Sequence, residues 1–159
     1  DRKQAGMTSI ELVTFAHVLA SIVWVGGAVA IQALAWLTLR RDDAIEIARF
    51  SGDAEWIGMR VFMPASLVVL AAGSWLVYDG PWELSTGWLG WSLGLYLLSF
   101  VTGMGFIGPE SGRISKLTTE HGAEHPDVQR RIKRIIIVSR VELVWLVAIV
   151  ALMVLKPGA

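Results

Sequence analysis

The stretch AHVLASIVWVGGAVAIQ, Ala16–Gln32, places one histidine near the start of an otherwise apolar run, with a tryptophan and two glycines close behind. The solvent around that imidazole decides the fold. Soluble domains carry about 25% charged residues, whereas this chain is 54% hydrophobic and 18% charged, with a mean hydropathy of +0.56. Its apolar residues gather in four runs, at about 12–39, 61–78, 87–108 and 141–155. A helix needs about 20 such residues to cross the ~30 Å hydrocarbon core. The first and third runs are long enough and the second is just so. The fourth qualifies if it begins at Ile135, which brings Arg140 and Glu142 inside it. Continuous runs disfavour a β-barrel, whose strands alternate over ~10 residues. The sequence therefore predicts an all-α polytopic membrane protein, one integral membrane domain over 1–159 built as a four-transmembrane-helix bundle. Its spans fall at about 8–38, 61–78, 87–108 and 135–155.

Composition also removes whole classes of function. There is no cysteine, hence no disulfide, thiolate metal site or thiol nucleophile. A net charge of zero provides no basic face for nucleic acid. No nucleophile–base pair, carboxylate pair or phosphate loop is visible, so no catalytic residue is assigned. The first run is too long for a cleavable signal peptide, and the leader DRKQAG is set aside.

Charge sets the expected orientation. The first connection carries Arg40, Arg41, Arg49 and Arg60; the third carries Arg113, Lys116, Arg130, Arg131, Lys133 and Arg134; the second, from Asp79 to Gly87, carries no Lys or Arg. Short basic loops stay cytoplasmic. Both termini and the second connection are then outside, in a bacterial-type inner or plasma membrane. Trp82, Trp88 and Trp91 suit an outer aromatic belt, and Trp36 and Trp56 an inner one. Trp24, Trp75 and Trp145 lie deeper, for packing or for lining a pocket. In the first basic connection, DDAIEIARF puts Ile45, Ala48 and Phe50 near one side of a short interfacial helix. No internal repeat is evident, so an inverted-repeat transporter is not expected.

Thr14, His17, Ser21, Trp24 and Ala28 recur at helical spacing and form one stripe. Its small, polar and aromatic character points His17 into the bundle, where an ionisable group is a functional candidate. Three roles remain open for it: an inter-helix hydrogen bond, ligation of a haem, or proton handling. Arg140 and Glu142 need partners; Arg60 is the natural one for Glu142, and Glu110 for Arg140. A cytoplasm-facing cluster of Arg60, Glu110, Arg113, Arg140 and Glu142 either ties helices together or holds an anionic group, with Lys116 assisting. Gly103, Gly105 and Gly108 before Pro109, and Pro64 in the second span, read as sites of close contact or bending. His121 and His125 have metal-ligand spacing on a helix, but Gly122 and Pro126 favour a solvated loop.

The segment AHVLASIVWVGG resembles the first-span signature of the copper-resistance D superfamily. Together, VFMPASLVVLAAGSWLV, GWLGWSLGLYLLSF and FIGPESGRISKL look like a family of predicted integral membrane proteins of unknown function within that group. A more distant similarity, at His17, is to the J-type membrane protoporphyrinogen oxidase. That resemblance implies haem b, with His17 as axial metal ligand and Ser21 and Trp24 beside it. A second axial position would come from Met153, or from a second copy docked through Gly26, Gly27 and Ala30. The alternatives are an accessory subunit of a larger membrane complex and a small transport component. The expected partners are the lipid bilayer and either a homo-oligomer or such a complex.

The orientation is tested by single cysteines in this cysteine-free chain. In intact cells, Ser85→Cys should react with an impermeant thiol reagent and Ser115→Cys should not; the reverse pattern would invert the topology.

Overall fold

The computed structural model describes residues 8–41, 43–80, 83 and 86–158; the leader, Trp82 and Ser85 lie outside them. Four long helices account for nearly all of this: α1 Ser9–Arg41, α2 Ala44–Asp79, α3 Gly87–His121 and α4 Pro126–Leu155. Each is apolar enough to cross a membrane, and the fold is an all-α four-transmembrane-helix bundle. Their lengths of 33, 36, 35 and 30 residues correspond to roughly 45–54 Å at 1.5 Å per residue. That is well beyond the ~30 Å hydrocarbon core.

The excess lies at the basic end. The first half of α2 packs along the second half of α3 there, around a core of Ile47, Ile114, Ala123, Val128 and Ile132. The first connection is thus no separate interfacial helix. Asp43 caps α2 by accepting from the Ile45 and Glu46 N–H groups, and the helix runs straight on into the span. Its buried face is Ile47, Ala48 and Ser51, while Ile45 is exposed, because the surface it meets is α3 and not lipid. The third connection shrinks to a turn, with Gly122 at φ +83° ending α3 and Pro126 opening α4.

Within the membrane half, α1 pairs with α2 and α3 with α4, and α4 also touches α1, closing the bundle. Trp24, Tyr96 and Leu146 form the buried centre. Around them are small polar side chains: Ser66, Ser92 and Ser99 are buried, whereas Ile22, Val101, Val144 and Val154 face outward. This inversion is expected where lipid is as apolar as the core and packing rests on small residues and hydrogen bonds. The Tyr96 hydroxyl donates to the Ser66 carbonyl at 3.0 Å, tying α3 to α2. Trp88 is buried at the bundle end, with the Lys156 ammonium 5.9 Å from its ring. It therefore packs between helices instead of joining Trp91 on the exposed belt.

Three helices each contain one wide, five-residue π turn: Ile22–Gly26 in α1, Gly58–Phe62 in α2 and Gly103–Ile107 in α3. The last two share a sequence. GMRVFMP, Gly58–Pro64, and GMGFIGP, Gly103–Pro109, are two copies of Gly-Met-x-x-x-x-Pro. The sixth residue of each donates its N–H to the carbonyl of the first, Met63 to Gly58 and Gly108 to Gly103. A proline inside a helix withholds one N–H and crowds the carbonyl four residues earlier. A π turn absorbs this by shifting the register to i→i+5.

Gly27 follows the first π turn, and a Cβ there would run into the Phe62 ring. The small-residue surface anticipated for a second copy is, at Gly27, already occupied by α2. Gly26 has open space. Gly27→Ala should therefore cost about 1–3 kcal/mol, as overpacking does, and Gly26→Ala less than about 0.5 kcal/mol. Thermal unfolding in detergent measures both; equal values would mean that α1 and α2 do not approach as described.

Candidate functional site

His17 lies on α1 facing α2. Its Nδ1 is 3.0 Å from the Val69 carbonyl. A carbonyl can only accept, so Nδ1 carries the proton and the ring donates across the helix pair. The ring also lies flat enough against α2 that a Cβ on Gly73 would come 3.0 Å from Cε1. Ser21 turns back to donate to the His17 carbonyl at 2.8 Å. Trp24 leans away and meets Tyr96 edge-on at 5.4 Å. The stripe read from the sequence thus divides: His17 serves the α1–α2 contact, Ser21 bonds back within α1, Trp24 and Ala28 turn into the bundle, and Thr14 is exposed.

The acidic and basic residues are also redistributed. Glu110, 1% exposed, accepts from Arg131 Nη1 through both carboxylate oxygens at 2.8 Å and from Arg113 at 3.4 Å. Arg131 on α4 takes the place expected for Arg140, which is exposed. Arg60 extends along its own helix, 5.3 Å from the Trp56 ring. The expected Arg60–Glu142 and Arg140–Glu110 pairs do not form, so the cluster reduces to Glu110, Arg113 and Arg131. With Arg113 and Arg131 both directed at the Glu110 carboxylate, this group is a tie between α3 and α4. His121 and His125 bring their rings to 4.9 Å, and His125 Nδ1 accepts from the Asp127 N–H at the start of α4. Among the described residues no group of three His, Cys, Asp or Glu is placed to hold a metal.

Glu142 stands apart. It is 9% exposed and, among the described residues, makes neither an ion pair nor a hydrogen bond. Its carboxylate lies against α3, with Oε1 3.3 Å from the point a Cβ on Gly103 would occupy. Glycine at 103 makes room for it. Both line a cavity of about 180 Å³ between the four helices. The three π turns converge on this space, contributing Trp24, Gly58, Met59, Phe62, Gly103 and Met104 to its wall. Ser99, one turn from Gly103 on the same face, also lines it. The Ser99 hydroxyl is fully buried and, among the described residues, has no hydrogen-bond partner. Among the described residues that line it, only Glu142 is ionisable; neither His17 nor Ser21 contributes.

The sequence reading grouped Glu142 with the basic end and missed the cavity. The signal was present in the repeated Gly-Met-x-x-x-x-Pro. A wide turn lets its helix draw aside where the two copies meet, and such turns recur at functional sites.

Residues 11–157 match the family described as "Predicted integral membrane protein (DUF2269)". The chain belongs to this family. No curated protein and no solved structure matches it. The resemblances to the copper-resistance D superfamily and the porphyrinogen oxidase gain no support from these comparisons.

Arg131→Ala leaves the buried Glu110 with only the longer bond from the exposed Arg113. Removing one partner of a buried pair costs ~3–5 kcal/mol, reduced here to about 2–3 kcal/mol because Arg131 is a third exposed. Adding Glu110→Gln should restore part of it. Glu142→Gln breaks no pair and should cost less than about 1 kcal/mol. A Glu142→Gln penalty as large as that of Arg131→Ala would reveal an ion partner for Glu142.

Proposed function

We propose that this chain is a small membrane-embedded binding and transport component, with the central cavity as its solute site and Glu142 as the polar station within it. The supporting observation is a carboxyl group buried among membrane helices, unpaired and facing a cavity. An ionisable residue inside a membrane bundle marks a solute or proton pathway by default. Binding sites between the helices of a bundle are mostly apolar, with a few converging polar groups; the Glu142, Ser99 and Gln32 side chains fit that description.

A haem at His17 fits the residues poorly. Its Nδ1 is committed to Val69, its ring edge lies against Gly73, and the cavity it would need is lined by other residues. His17 acts as a hydrogen-bonding tie between α1 and α2. The basic end, with Arg40, Arg41, Arg49 and Lys116, is the cytoplasmic end in this reading.

Cysteine accessibility tests the proposal. Ser66→Cys and Ser139→Cys, both on the cavity wall, should react with a small water-soluble methanethiosulfonate in membranes. Val101→Cys, facing outward, should not. If the cavity positions are as inert as the outward one, solute does not enter the bundle. The chain would then be an accessory subunit that works through its surface.

A further inference from the structure

The solute's chemistry follows from what the cavity wall contains and what it lacks. Among the described residues, no Lys, Arg or His lines it. Arg40 lies 3.8 Å over the Trp36 ring, Arg60 stacks toward Trp56, Arg131 is held by Glu110 and Arg140 is exposed. An anion would enter against the Glu142 carboxyl with nothing to compensate it. A cation would meet that carboxyl, the Ser99 hydroxyl one helical turn from Gly103 on α3, unpartnered among the described residues, and aromatic faces. Trp24, Phe62 and Phe100 line the space, and Tyr96 fixes two of them, edge-on to Trp24 at 5.4 Å and stacked on Phe100 at 6.1 Å. Ring faces attract cations, most strongly where water is excluded. Met59, Met63 and Met104 complete the wall with flexible, polarisable side chains that adapt to different shapes.

Size narrows the class further. The space of about 180 Å³ is slightly larger than the ~150 Å³ apolar cavity known to hold benzene. It suits a single ring or a short branched alkyl group with a small head, and excludes fused-ring dyes. We infer that the cavity binds small organic cations: a primary ammonium head on an apolar body about the size of one aromatic ring. The head would lie between Glu142 and Ser99 and the body among Trp24, Phe62 and Phe100. This inference rests on the reading of the cavity as a solute site.

The experiment uses para-fluorobenzylammonium, with para-fluorobenzyl alcohol as its neutral counterpart, in zwitterionic-lipid nanodiscs with and without the protein. Fluorine NMR line broadening reports binding beyond lipid partition. The ammonium should bind saturably and more tightly than the alcohol. Glu142→Gln should weaken the ammonium about tenfold or more, the usual effect of losing a charged hydrogen-bond partner, and change the alcohol less than about twofold. Ala28→Phe, which places a ring in the cavity, should abolish both and show that binding occurs there. If both probes bind equally and Glu142→Gln changes neither, the cation preference is overturned while the cavity stands as a solute site. If neither probe binds although Ser66→Cys and Ser139→Cys react with thiol reagent, the space holds only water and the inference fails. Inert cysteines together with no binding would overturn the underlying reading itself.

Discussion

A proline in the middle of a membrane helix leaves a carbonyl without its donor, in surroundings that supply no water to replace it. Every backbone polar group within the hydrocarbon must find a partner inside the protein. Pro64 and Pro109 each break the regular register, and in both cases the helix recovers by widening into a π turn that starts at the glycine six positions earlier. The two turns lie on antiparallel neighbours and meet at the middle of the bundle, where a third, in α1, joins them. Backbone repair and cavity are thus one feature. The helices are widened and glycine-thinned where the bundle opens, and packed by Trp24, Tyr96 and Leu146 beside it.

The polar side chains divide into ties and a buried carboxyl without a partner among the described residues. His17 bonds the Val69 carbonyl, Tyr96 bonds the Ser66 carbonyl, and Glu110 clasps Arg131. Each links a different pair of helices, α1 to α2, α3 to α2, and α3 to α4. Without a hydrophobic force between helices in lipid, such bonds and close packing hold the bundle together. Glu142 makes no comparable bond among the described residues, although it is buried, as Tyr96 and Glu110 are. A charge-bearing group kept inside a membrane without a structural partner is a candidate functional group, and here it faces the cavity between the four helices.

The four-span architecture was legible in the sequence because lipid imposes a length and a composition on any helix that crosses it. Runs of apolar residues and the placement of Lys and Arg answer to the solvent and not to neighbouring side chains, so they can be read one residue at a time. Part of the inward face of α1 was legible for the same reason, from His17, Ser21 and Trp24 where lipid would have favoured larger aliphatic groups, although Thr14 on the same stripe is exposed. What such a pattern cannot carry is identity of partner. Glu110 pairs with Arg131 and not Arg140, because α3 and α4 extend past the membrane and meet in a register that follows from their packing. Ile45 is exposed and Ile47 buried because the surface covering that helix is α3, which a hydrophobic pattern on α2 alone does not specify. The role of His17 turned on Val69 and Gly73, over fifty residues away in the chain. The cavity depended on the tertiary structure most of all. It is space left between helices, bounded by the meeting of two Gly-Met-x-x-x-x-Pro turns with the Glu142 carboxylate, and such a space exists only once all four helices are in place.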